Sequence, residues 1–196
     1  MTNALLRPRA MAIALGLALA ASVGLSTLTN ATPIVGAAQS DYYLKIDGID
    51  GESTTNGHEK GIQIESWSWG TSNSSSSGYG GGMGSGKMSA KALTITKTID
   101  TTSPAIFMAC ASGKRIKNAV LTAVRPSSDG KGSDYVTVNF SDVFCSSFQH
   151  SGSSSDRPME SLSLNFTKIE MKVMPPAGST TKPTVSGWDL KMNKGF

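Results

Sequence analysis

Apolar and polar positions alternate with a period of two over most of the chain beyond residue 40, the mark of strands with one buried face. Residues 42–46 open with such a run, which ends in the turn-rich segment Asp47-Gly48-Ile49-Asp50-Gly51-Glu52. In residues 62–69, Ile62 and Ile64 point one way while Trp67 and Trp69 point the other. Either the strand bulges or changes sheet near Glu65, or it is buried on both faces. Residues 88–99 place Leu93 and Ile95 on one face, and residues 116–124 carry apolar side chains on both, which predicts a central strand. In residues 135–144, Val136, Val138 and Phe140 lie opposite Thr137 and Asn139, and residues 146–157 read as a polar loop. The cleanest alternation covers residues 159–173, with Leu162, Leu164 and Phe166 inside. Ile169, Met171 and Val173 then follow in the opposite phase, which predicts a bulge near Lys168. Residues 184–192, with Val185, Trp188 and Leu190, read as a closing strand.

One stretch breaks the alternation. Ser103 is placed to cap a helix, Pro104 fits its first position, and Gly113 supplies the left-handed stop. Ile106, Phe107 and Cys110 fall on one apolar stripe. About two turns of helix cannot stand alone in water, so this one must lie on a sheet. The pattern therefore predicts an all-β, mainly antiparallel fold: a β-barrel of two packed sheets, about seven or eight strands in all, with one short α-helix on its side.

Residues 71–87 change the picture, because they are almost all Ser and Gly, with Tyr79 and Met83 as the only large side chains. Such a segment cannot offset its own ordering cost and gains order only against something else. Both flanks are strand-like, so it reads as a long extended hairpin loop projecting from the body. A phosphate-cradling glycine loop would need a Gly-Lys-Ser/Thr ending, which is missing.

The first residues stand apart. Arg7 and Arg9 precede an apolar run at residues 11–25, and small residues follow in Val35-Gly36-Ala37-Ala38. This predicts a cleaved signal peptide over residues 1–38, with an N-terminal membrane anchor as the alternative, and one domain over residues 39–196. Arg7 and Arg9 leave with the leader, so 16 basic residues face 14 acidic ones, too even a balance to predict a nucleic-acid partner. The predicted location is secreted, extracellular or periplasmic, with no stable membrane insertion after cleavage. If the signal is not used, the chain is cytoplasmic and then secreted. An exported chain meets oxidising conditions, so Cys110 and Cys145 could pair. The spacing favours no particular geometry, and two buried free thiols are the expectation.

Candidate chemistry is sparse. His58 and His150, the two histidines, sit in polar contexts that predict solvated side chains. No nucleophile elbow, His-x-x-x-His pair or Cys-x-x-Cys is present. A calcium loop at Asp47 to Glu52 fails on spacing, since Ile49 and Gly51 stand where ligands are needed. No enzyme, cofactor or metal site is predicted. Polar strands, a glycine-serine arm and open edges suit a protein that binds copies of itself. The alternative is an exported monomeric β-sandwich binding carbohydrate or protein, with Trp67, Trp69 or Trp188 as an exposed platform rather than core.

Several segments carry a family resemblance: Tyr43-Leu44-Lys45-Ile46, Ile64-Glu65-Ser66-Trp67-Ser68-Trp69-Gly70, Ile95-Thr96-Lys97-Thr98-Ile99-Asp100, Ser103-Pro104 through Met108-Ala109-Cys110-Ala111-Ser112-Gly113-Lys114, Leu162-Ser163-Leu164-Asn165-Phe166 and Gly187-Trp188-Asp189. In unbroken order over residues 41–192, they resemble the Hcp (haemolysin-coregulated protein) family of bacterial type VI secretion tube proteins. The resemblance implies a β-barrel with a helix on its side and no catalysis. It implies a homohexameric ring that stacks into a hollow tube, carries small effector proteins in its lumen, and works with spike and sheath components. Residues 71–87 match the family's extended loop, which reaches a neighbouring subunit or ring, making Ser77, Tyr79, Gly81, Met83 and Lys87 candidate interface residues. The chain departs from the pattern in carrying a leader, which implies an exported relative.

Overall fold

The computed structural model describes residues 40–73, 87–126, 132–176 and 178–196. Twelve strands and one helix follow in the order β1 (Asp41–Ile46), β2 (Ile62–Ile64), β3 (Ser66–Ser68), β4 (Thr71–Asn73), β5 (Met88–Ala90), β6 (Leu93–Thr98), α1 (Ser103–Ala111), β7 (Ile116–Arg125), β8 (Ser133–Ser153), β9 (Asp156–Asn165), β10 (Lys168–Val173), β11 (Thr184–Asp189) and β12 (Lys194–Gly195). Every pairing between them is antiparallel. Among the described residues the fold is thus all-β with one short helix, as the alternation predicts, but with more strands, several of them short and β8 longer than expected.

One sheet runs β12-β11-β10-β8-β7-β1-β2, and a second joins β3, β6 and β9 to the far half of β8. Three segments pass from one sheet into the other, and two of them account for the phase changes read near Glu65 and Lys168. At Glu65 the chain leaves β2, paired with β1, and enters β3, paired with β6. At Phe166 and Thr167 it leaves β9 for β10, so the predicted bulge near Lys168 is a change of sheet. In β8, Val143 still faces Ile116 of β7, whereas Phe144 already faces Asn165 of β9. Asp142, at φ 52°, takes the left-handed turn that redirects this strand.

The segment read as a polar loop, residues 146–157, is corrected by β8: the strand continues to Ser153 and returns as β9 from Asp156. Its Ser-rich sequence fits because this part of the hairpin is mostly exposed and needs no apolar face. Leu44, Ile62, Leu93, Ile95, Val138, Phe140, Leu121, Leu162 and Leu164 fill the barrel, with Phe140 and Phe166 in contact at 4.9 Å between ring centres. Burial of these side chains is the main source of stability, at about 1.5–3 kcal/mol each. Met171 and Val173, expected inside with Ile169, are exposed, although β10 stays paired with β8 and β11 along its length.

Candidate functional site

Helix α1 packs against β8 and is held at both ends. At its start the cap is Thr102 rather than Ser103, and no side chain caps it directly. Ser103 is buried instead, and its Oγ accepts a hydrogen bond from the Asp100 backbone N–H at 3.1 Å. Beneath it lies Lys97, fully buried, whose Nζ stands 2.9 Å from Glu160 Oε1, 2.9 Å from Asp100 Oδ1 and 2.8 Å from the Thr98 carbonyl. Lys97 and Glu160 face each other directly in the β6–β9 register. A fully shielded charge pair holds only if its hydrogen bonds are complete. Glu160 completes its set with His150, whose Nε2 is 3.1 Å from Oε2. Burial pushes the Asp100 carboxyl up, but hydrogen bonds from the Thr102 hydroxyl, Lys97 and the Thr102 N–H outweigh it and hold the carboxyl below its ordinary value.

At its other end, Gly113, at φ 62°, closes α1 with two bonds: its N–H donates to the Cys110 carbonyl and that of Lys114 to the Ala109 carbonyl. This is the double closure that a left-handed glycine permits. Cys110 is joined to Cys145 by a disulfide, with the Cα atoms 4.7 Å apart. The expectation of two free thiols is therefore corrected: the helix ends beside the stretch where β8 changes sheet, which sequence spacing could not show. The expected stripe also shifts. Ile106 and Ala109 are buried, while Phe107 is exposed and leans on Phe148 at 6.0 Å between ring centres.

The histidines are not freely solvated. His58 is buried, stacked on Tyr43 at 4.6 Å and 6°, with Nε2 2.9 Å from Asp134 Oδ1. The fold brings the loop carrying it back over β1, a contact between distant residues with no local sequence signal. His150 stands half exposed on β8 but reaches the buried Glu160.

Of the predicted interface residues, Ser77, Tyr79, Gly81 and Met83 lie outside the described residues. Lys87 is exposed, just before β5. There β4 and β5 form a ribbon of their own, Thr71 facing Ala90 and Asn73 facing Met88, and the Met88 N–H donates to Asn193 Oδ1 at 3.2 Å. The body therefore holds the β5 flank of the Ser/Gly segment, and β4 is held by its pairing with β5. Trp67, Trp69 and Trp188 pack against the core and form no open platform.

Among the described residues, no group of three or more His, Cys, Asp or Glu could hold a metal ion. An open groove of about 550 Å³ lies on the outer face of the first sheet, lined by Asp47, Asn118, Asn139, Lys168, Glu170 and Phe196, among others. Its carboxylates are occupied: Asn118 donates to Asp47 at 3.1 Å and Asn139 to Glu170 at 3.0 Å. Among the described residues, the uncovered apolar side chains include Phe107 and Met108 on α1, Met171 and Val173 on β10 in phase with the buried Ile169, and Val185, Met192 and Phe196 towards the C-terminus.

The model of the family described as "Type VI secretion system effector, Hcp" matches residues 43–173. Protein hcp1 of Pseudomonas aeruginosa is 39% identical over 157 residues, covering 78% of this chain and 96% of its own. The crystal structure of Hcp1 from Salmonella typhimurium superposes with a TM-score of 0.67 at 31% identity, over 80% of this chain and 99% of that one. A structure described as a type six secretion system protein gives a TM-score of 0.74 at 27% identity, over 81% and 100%. With its barrel, side helix and ribbon accounted for residue by residue, the chain belongs to the Hcp family of type VI secretion proteins.

Proposed function

We propose that the chain is a structural subunit that closes into a homohexameric ring, that the rings stack into a tube, and that the tube carries small effector proteins and meets spike and sheath components. The observation that supports this reading, beside family membership, is that exposed apolar side chains lie on different elements, Phe107 with Met108 on α1 and Met171 with Val173 on β10 among them. A head-to-tail contact needs two different surfaces on each copy, and it closes into a ring when the rotation between copies divides a circle. On this reading the segment with Ser77, Tyr79, Gly81, Met83 and Lys87 reaches a neighbouring copy and gains order there. Residues 1–38 are read as an export leader; a copy sent out by it assembles outside the cytoplasm and apart from a cytoplasmic sheath, so the sheath and spike contacts belong to the case in which the leader is not used. N-terminal sequencing of the natural protein separates the two cases, and a start at Met1 removes the export reading.

Light scattering on the purified natural protein tests the ring. The expected mass is about six protomers, and Met171→Asp with Val173→Asp gives a single protomer of unchanged circular dichroism. A parent that stays a single protomer at high concentration overturns the reading.

A further inference from the structure

The disulfide joins two segments that otherwise meet only through packing: the last turn of α1 and the stretch where β8 passes between sheets. On its inner side the helix gives Ile106 and Ala109 to the core, while Phe107 and Met108 remain exposed at 51% and 60%. A helix of nine residues with so little buried surface is not stable by itself. We propose that the Cys110–Cys145 bond is an oxidative clip, made only after the chain has left a reducing compartment, and that it decides whether α1 stays docked with its outer face set for assembly. This rests on the export and ring readings given above.

The chemistry is a two-step exchange. Cys110 is the more accessible of the two, since Cys145 is only 7% exposed. Its thiolate attacks a disulfide donor, either a thiol–disulfide oxidoreductase or oxidised glutathione, and one donor sulfur leaves as a thiol. The Cys145 thiolate then displaces the second donor sulfur from the mixed disulfide. Two thiols become one disulfide, and two protons and two electrons pass to the donor, which ends as the dithiol oxidoreductase or as two glutathione thiols. A reducing cytosol runs the exchange backwards and an export compartment does not. The fold supplies the proximity, because the barrel brings the Cα atoms within bonding range across a separation of 35 residues.

The test uses the full chain with its leader, beside a version retained in the cytoplasm by Leu15→Arg and Leu17→Arg. Thiols are capped in intact cells with a polymer maleimide and counted by gel shift. The exported chain is expected to take no label and the retained chain two. The purified exported protein is then compared with itself after dithiothreitol and with the Cys110→Ser/Cys145→Ser double variant. Both are expected to melt roughly 10 °C below the oxidised parent and to gain a protease cut within residues 103–113. Free thiols in the exported chain, a parent found wholly in the cytoplasm with both thiols free, or a double variant that melts with the parent each overturn the clip. Light scattering on the same samples separates the two ideas. Rings from the oxidised chain alone support both. Rings in every redox state overturn the coupling to assembly. Rings in none remove the ring reading, and the thiol count and melting shift then decide the clip alone.

Discussion

The two ends of α1 are fastened by different physics. The N-terminal end rests on Lys97, Glu160, Asp100 and Ser103, a noncovalent cluster in which every charge depends on its neighbour. The C-terminal end rests on one covalent bond and on a glycine that can turn left-handed. The first anchor is indifferent to redox state and intolerant of single substitutions, because removing Lys97 or Glu160 strands the other charge of a fully buried pair. The second depends on redox state, with a partly exposed charge cluster at its side.

The largest effect is expected at the first anchor. Lys97→Met leaves Glu160 buried without its partner and weakens the hold on Asp100, and is expected to cost about 3–5 kcal/mol in chemical denaturation. Adding Glu160→Met should recover most of that loss, since a buried pair exchanged for apolar side chains of similar volume is close to neutral. If Lys97→Met alone unfolds with the parent, the cluster is not what holds this end. Next comes the covalent anchor: Cys110→Ser with Cys145→Ser is expected to cost about 3–4 kcal/mol, from the loop entropy the bridge removes from the unfolded chain. The parent measured in dithiothreitol should then match the double variant, whereas Lys97→Met should be equally damaging in both redox states.

The two anchors also differ in how far they can be read from sequence. Lys97 continues the inward alternation of Leu93 and Ile95, and Glu160 that of Leu162 and Leu164. The signal was present, but a charged residue at a core position reads as a strand end unless the opposite charge across the sheet is known. That requires the β6–β9 register, a long-range quantity. The stop at Gly113 could be read directly, because glycine after a basic-flanked helix has a local cause. The disulfide could not, since its warrant is a Cα separation. For the same reason two changes of sheet appeared in the sequence only as phase slips, and the third, within β8, was not read at all. Only the fold tells a bulge from a crossing, and in residues 146–157 polar composition concealed an exposed hairpin. Of the Ser/Gly stretch, the flanks read as strand-like are found as the paired β4 and β5.

Within the covalent anchor, the glycine can be separated from the bridge. Nothing lies within 4 Å of the Cβ that an alanine at position 113 would carry, so Gly113→Ala meets no clash. Its cost is purely conformational, about 1 kcal/mol for a left-handed non-glycine residue. The loss should be the same with the bridge oxidised or reduced. A loss that doubles on reduction would show the two C-terminal fastenings acting as one.

The smallest effect sharpens the contrast from the side of charge. Beside the covalent anchor, Asp142 takes a hydrogen bond from Lys191 Nζ at 2.8 Å and one from Arg115 at 2.7 Å. Lys191 first and Arg115 second lower its carboxyl from 3.8 to about 2. Because the folded value lies below the unfolded one, the charge adds stability above about pH 3.8 and loses it as the pH falls towards about 2. Asp142→Asn keeps a residue that tolerates the left-handed φ of 52°, so the substitution removes charge without straining the crossing. Melting of parent and variant compared across that window should show a small gap near neutral pH that closes on acidification and narrows in high salt, as expected of a partly exposed pair. A gap that persists below pH 2 would mean that Asp142 shapes the crossing by its backbone contacts rather than its charge. The C-terminal anchor would then owe nothing to electrostatics.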